Sequence, residues 1–196
     1  MKRRTYLQIG AGIIFVGLLA WGVSRGLERL AGLQPESSGA TTDPAVPGGT
    51  VPRITATLYY GSADGQSLVP VRREVPLAEG LVPQGREIIR TQLQAAPSPF
   101  VSVVPEGTML RAFYVTDRGD AFVDLSSEAS SRHPGGSSTE LLTVYAIVNS
   151  VTANLPTIQR VQILIDGREA DTLAGHVDLR RPLQQDLSLV REPKVE

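Results

Sequence analysis

Residues 108–167 run TMLRAFYVTDRGDAFVDLSSEASSRHPGGSSTELLTVYAIVNSVTANLPTIQRVQILIDG. Leu110, Ala112, Tyr114 and Thr116 alternate with Arg111, Phe113 and Val115, and Ala121, Val123 and Leu125 alternate with Phe122 and Asp124. A period of two sends successive side chains to opposite faces, so strands are expected over Met109–Thr116 and Asp120–Leu125, with a hairpin loop at Asp117–Asp120. Ser137-Ser138-Thr139-Glu140 matches a capping box, in which the serine accepts a backbone N–H and the glutamate reaches back to the helix start. Leu141, Val144, Tyr145, Val148, Val151 or Thr152, and Leu155 then recur at three and four. That spacing predicts a helix over Ser138–Leu155 that lays one apolar stripe on the strands. After Leu155-Pro156, the apolar run Val161–Ile165 (VQILI) predicts a central strand, closed by Asp166-Gly167.

Upstream, Arg53–Tyr60 (RITATLYY) alternates and is rich in β-branched and aromatic residues, as a strand requires. Gly61–Gly65 is a turn, and Leu68–Val75 (LVPVRREV) is a weaker strand that Pro70 places at an edge or bulge. Ile88, Ile89, Gln92, Leu93 and Ala96 give a first helix over Gly85–Ala96, which Pro97 and Pro99 stop. Downstream, Thr172–Leu179 has the composition of a further strand. In the charged tail, Pro182 would open one helical turn through Leu183 and Leu187.

The chain begins outside this unit. Lys2, Arg3 and Arg4 precede Leu7–Val23, an uncharged stretch at the short end of what spans a bilayer, with Trp21 placed as an interface anchor. An uncleaved anchor and a signal peptide cut near Ala20-Trp21-Gly22 both fit. The apolar run exceeds a usual signal core, which favours the anchor, and either reading exports the rest of the chain. Gly32–Pro52 turns to Pro, Gly, Ser and Thr and reads as a flexible linker.

Composition narrows the function classes. The 196-residue chain has a formal net charge of -1, so no basic footprint asks for nucleic acid. It has no cysteine and two histidines, which leaves no disulfide and makes a metal centre unexpected. Asp124, Ser126 and His133 fall close enough in sequence to suggest a hydrolytic triad. No G-x-S-x-G elbow accompanies them, and Asp124 fits better as an acceptor for backbone N–H groups at the strand end. Gly135-Gly136-Ser137-Ser138 at a helix start could hold an anion, although a capped helix explains it without one. Arg72 and Arg73 read as solvated edge charges, His176 as a surface histidine, and the five tyrosines as too scattered for a stacking platform.

Together these segments resemble the GerMN domain family, named after the sporulation and germination protein GerM. The likeness rests on Leu58-Tyr59-Tyr60 followed by Leu68–Arg73, on Pro105-Glu106-Gly107-Thr108 before a strand, and on Ala121–Ser126. It continues through Gly136–Glu140 opening a helix into Ile147–Val151, and Val161–Gly167 closes it. It covers roughly Ile54 to Leu179. Two features depart from the family pattern: one copy of the set appears here where the namesake resembles a tandem, and the lipoprotein cysteine of many relatives is missing.

The resemblance implies an α/β fold of the two-layer α+β kind, with a mixed sheet of about five strands and two helices packed on it. Its order would be helix-strand-strand-helix-strand, like a ring-building domain, preceded by two strands. That order is also near the RNA-binding KH type, but no GxxG loop joins two helices here. The expected organisation is a cytoplasmic stub and transmembrane anchor over 1–31, a linker over 32–52, a GerMN-like domain over 53–180 and a tail over 181–196. The function expected is a non-enzymatic protein–protein interaction or scaffold module on the outer side of the cytoplasmic membrane. Its partners would be envelope proteins, copies of itself included. No catalytic, cofactor or metal residue is expected, nor a small-molecule ligand. The alternative is an envelope hydrolase or a cell-wall glycan-binding protein.

Overall fold

A computed structural model describes residues 51–192. The expected anchor and almost all of the expected linker lie outside those residues. Among the described residues, no helix is long and apolar enough to cross a membrane.

The element order is β1 (Arg53–Gly61), β2 (Leu68–Pro76), α1 (Leu81–Gln92), β3 (Leu110–Val115), β4 (Asp120–Leu125), α2 (Glu128–Ser131), α3 (Ser137–Asn154), β5 (Arg160–Ile165), β6 (Arg168–Glu169) and β7 (Leu183–Gln184). β1 and β2 pair antiparallel over their full length as a two-stranded ribbon. The five-stranded mixed sheet runs β3-β4-β5-β6, with β7 also on β5. β3 and β4 are antiparallel, whereas β4 and β5 are parallel. Parallel strands need a long crossover, and α3 supplies it. The expected order helix-strand-strand-helix-strand is α1-β3-β4-α3-β5, with the single turn α2 inserted.

One core joins the layers. Phe113, Val123, Leu125 and Ile163 from the sheet meet Ile88 and Ile89 of α1 and Val144, Ile147, Val148 and Val151 of α3, all at 0–1% exposure. At roughly 1.5–3 kcal/mol per large side chain, this burial is the main stabilising term. α3 is buried well beyond a single stripe: Leu142, Ala146, Asn149 and Ser150 are covered too. The reason is the β1–β2 ribbon, which packs on a second flank of the helix and contributes Tyr59 and Leu68 to a smaller cluster there.

Amide side chains fasten that ribbon. Asn154 accepts from Thr57 N at 2.8 Å and donates to Thr57 O at 2.7 Å. Gln92 likewise accepts from Tyr59 N at 3.2 Å and donates to Tyr59 O at 2.8 Å. The two helices thus present the donor–acceptor pair that a neighbouring strand would offer, so these β1 groups are satisfied without a strand.

Four local expectations are corrected. α1 starts at Leu81 rather than Gly85, because Gly80 has φ 96° and sits at the N-cap. Pro83 fits the first turn, where its missing N–H costs nothing. Gly85 is interior because a Cβ there would lie 2.3 Å from the Phe113 ring. The capping box is not formed: Gly136 is the N-cap of α3 and no side chain caps it. Thr172–Leu179 is not a strand but an irregular loop fastened by Glu140. Leu183–Gln184 is strand β7 on Val161 and Arg160 rather than a helical turn, because the edge of β5 offers unpaired backbone groups at that point. Residues 183–191 are accordingly part of the domain, not a separate tail.

Candidate functional site

The residues of the imagined triad are each engaged elsewhere. Asp124 Oδ1 accepts from Gly167 N at 2.7 Å, and its Oδ2 takes Arg111 Nε at 3.3 Å. The expectation that Asp124 accepts a backbone N–H holds, though the donor comes from the β5–β6 turn. Ser126 Oγ accepts from Met109 N at 2.9 Å, extending the β3–β4 ladder by one rung. His133 Nδ1 accepts from Gly135 N at 3.0 Å, and its Nε2 lies 3.1 Å from Thr143 Oγ1. The Thr143 hydroxyl lies 2.6 Å from Val103 O, to which it donates, so it accepts from His133 Nε2–H. Burial lowers the His133 pKa from the usual histidine value, against the opposing pull of Glu140. Its neutral form therefore ties loop 132–136 to α3 and to residues 101–104. The Gly135 N–H that could have met an anion is already taken by this ring.

Glu140 is a fully buried carboxylate. At 0% exposure it accepts from Leu173 N and Ala174 N at 2.9 and 2.8 Å through Oε1, and from His176 N at 2.8 Å through Oε2. His176 Nδ1 also lies 3.2 Å from Oε2, so this histidine is part of the clasp rather than a free surface group. Burial alone would raise the Glu140 pKa, but the backbone N–H groups outweigh it and hold the pKa below the usual carboxylate value. A carboxylate with its lone pairs filled in this way is a structural clasp and has no spare acceptor for proton transfer.

The outer side of β3 is an open strand edge. Among the described residues β3 pairs only with β4, so its other edge keeps backbone N–H and C=O groups free. A register shift between Leu110 and Ala112 inserts Arg111 as an extra residue. This bulge lets Leu110 pack on the core beside Phe113, although the two are three positions apart. It also re-aims Arg111 outward, where Nη1 meets Asp166 at 3.0 Å while Nε meets Asp124. Tyr114 is then left 55% exposed in mid-strand, and Met109 64% exposed just before it. Strand alternation alone puts Leu110 and Tyr114 on one face and so misses this surface; the charged Arg111 within an apolar strand is the available signal.

On the opposite flank an open cleft of about 690 Å³ runs between residues 101–107 and the start of α3, lined by Val101, Val103, Pro134 and Leu142 among others. Its lining mixes aliphatic residues with Ser102, Glu106 and Thr139, and includes none of the aromatic faces that a glycan site uses.

A leading strand ribbon, the order helix-strand-strand-helix-strand and a crossover helix buried on two flanks define an α+β module of the GerMN type. The chain belongs to the Germane family, described as sporulation and spore germination, whose model matches residues 57–171. Three solved structures are similar. One is a candidate lipoprotein from Clostridium perfringens, 25% identical, with 69% of this chain and 89% of that one covered and a TM-score of 0.50. Another holds the tandem GerMN domains of the sporulation protein GerM from Bacillus subtilis, 20% identical, with a TM-score of 0.51; the match covers 70% of this chain and 46% of that one. The first GerMN domain of the same protein is 19% identical with a TM-score of 0.50, over 68% of this chain and 96% of that one. No curated protein matches the chain.

Proposed function

We propose that this chain is a non-enzymatic interaction module of the cell envelope. The apolar stretch Leu7–Val23 holds it at the cytoplasmic membrane, with the GerMN domain on the outer side. There it binds neighbouring proteins, copies of itself included, along β3. The observation that carries this is the unpaired edge of β3 with Tyr114 exposed in mid-strand. Tyrosine is favoured at interfaces because its ring gives apolar contact area while the hydroxyl stays hydrogen-bonded. Backbone groups along the edge would pair with an added strand, as in β-augmentation. The family description and the similarity to a candidate lipoprotein support the envelope location.

Photo-cross-linking residues at Arg111, Tyr114, Arg118 and Gln159 in the full chain, in its native membrane, test this. Neighbours should be captured from these positions and not from Arg90 on the outer face of α1. If all positions give only uncross-linked chain, while a soluble cell-wall glycan fragment raises the melting temperature, the glycan-binding alternative takes its place.

A further inference from the structure

The segment after Pro182 lies across the domain like a bound peptide. Leu183 and Gln184 pair with Val161 and Arg160 at the edge of β5. Asp186 is then held on both sides by one side chain: its N–H donates to Asn149 Oδ1 at 3.1 Å and its C=O accepts from Asn149 Nδ2 at 2.7 Å. Farther on, Leu68 N donates to Leu189 O, and Arg191 N to Leu68 O, each at 2.8 Å, which makes a parallel bridge between Leu68 and Val190. Leu189 and Val190 pack on the cluster of Tyr59, Leu68, Leu142 and Ala146.

Three facts separate this strap from the body of the fold. Its partners belong to β2, α3 and β5, while Leu187 at its middle is 52% exposed. The match to the family model ends at residue 171, before the strap begins. Arg180 and Arg181, immediately before Pro182, are exposed, and Arg180 bonds only to nearby Asp178 among the described residues. The groove, by contrast, is built for an occupant. Asn149 is fully buried, and both its donor and its acceptor go to a single residue of the strap. With the strap lifted, that amide and both Leu68 backbone groups would have only water as partners, so the groove favours an extended backbone that offers the complementary donors and acceptors. Side-chain amide to extended backbone is also how Asn154 and Gln92 hold β1, so the groove recognises a strand-like chain by the same chemistry.

We propose that the groove formed by Asn149, Leu68 and the β5 edge is a peptide-binding site, that residues 183–191 are its tethered ligand, and that it accepts the same segment from a second copy of this chain. The contacts made in cis are available unchanged in trans, so exchange of the strap costs little beyond association entropy. In dilute solution the tethered strap wins through its high effective concentration; copies crowded together shift the balance towards exchange. The surface is distinct from the β3 edge and stands or falls apart from it.

The chain contains no cysteine, so thiols can be introduced one at a time. Purified full-length Leu68→Cys and Val190→Cys chains are mixed at high concentration, warmed to permit exchange and oxidised. Exchange predicts mixed disulfide dimers at roughly five times or more the yield of an Arg90→Cys plus Val190→Cys control, which forms only collisional products. The double variant in a single chain should close an intrachain disulfide, since its partners are bridged neighbours. A mixed yield equal to the control, with the intrachain bond formed, means that the strap stays in cis and overturns the proposal. Failure of the intrachain bond overturns it as well, by showing that the strap does not lie on Leu68. Should Leu68→Cys lose its melting transition, a photo-cross-linker at exposed Leu187 in mixed tagged and untagged chains replaces it, with tagged–untagged products expected and only intrachain products contradicting.

Discussion

A carboxylate at 0% exposure is stable as an anion only when its lone pairs are filled, and Glu140 fills them with N–H groups of Leu173, Ala174 and His176. Glu140→Gln removes the charge and replaces one acceptor with a donor facing N–H groups. Hydrogen bonds to a charged group contribute about 1.5–3 kcal/mol, so a loss of about 2 kcal/mol is expected, together with faster hydrogen exchange at Leu173, Ala174 and His176. Because the folded pKa is depressed, the contribution is present above the unfolded carboxylate value of about 4.3 and is lost as pH falls through the lower folded value. His133 acts in a higher pH window. Its folded pKa is also lowered, so the folded state binds fewer protons than the unfolded state below about 6.5. Stability is then full above that pH and declines as pH falls below it. Protonation at Nδ1 also costs the bond from Gly135 N. Melting temperatures of His133→Gln measured at pH 5 and pH 7 should differ less than those of the parent; an unchanged difference would mean that His133 does not carry this pH dependence.

Among the elements, α1 and α3 make opposite demands on substitution. Alanine in place of a mid-helix glycine ordinarily gains about 1 kcal/mol. At Gly85 the new Cβ would stand 2.3 Å from Phe113 Cε1, and overpacking of that kind costs about 1–3 kcal/mol. The clash outweighs the propensity, so Gly85→Ala should lower the melting temperature. On α3, Val148→Asp would bury an unpaired charge at a position of 0% exposure, and a loss of roughly 3 kcal/mol or more is expected in denaturant titration. A parent-like midpoint would mean that this face of the helix is not buried. The helices and the principal strands are legible in the sequence because alternation and three–four spacing are local signals, and β3, β4, α3 and β5 lie where those signals put them. What is illegible depends on partners distant in sequence. Glu140 has the spacing of a capping box, but its donors lie 33 to 36 residues away. Gln92 and Asn154 look like solvated helix polars until β1, 33 and 97 residues distant, comes to lie beside them. At the candidate site the hairpin end is readable from Asp117–Asp120, but the outward turn of Tyr114 is not, because the bulge at Arg111 resets the alternation.

For the described residues as a whole, the polar side chains that sequence spacing offers as chemistry are spent on holding loops and strands together, and β3 is one of the strands that keep an open edge. If β3 is the docking edge, it is paired in the native setting and bare in isolation. Hydrogen exchange at the β3 amides reads this directly, in the full-length chain within its native membrane and in the isolated fragment from Arg53 onward in dilute solution. The β3 amides not taken by β4 are expected to exchange at least roughly ten times more slowly in the membrane, while amides of the β4–β5 ladder exchange alike in both. Equal exchange along β3 in the two settings would contradict docking at this edge.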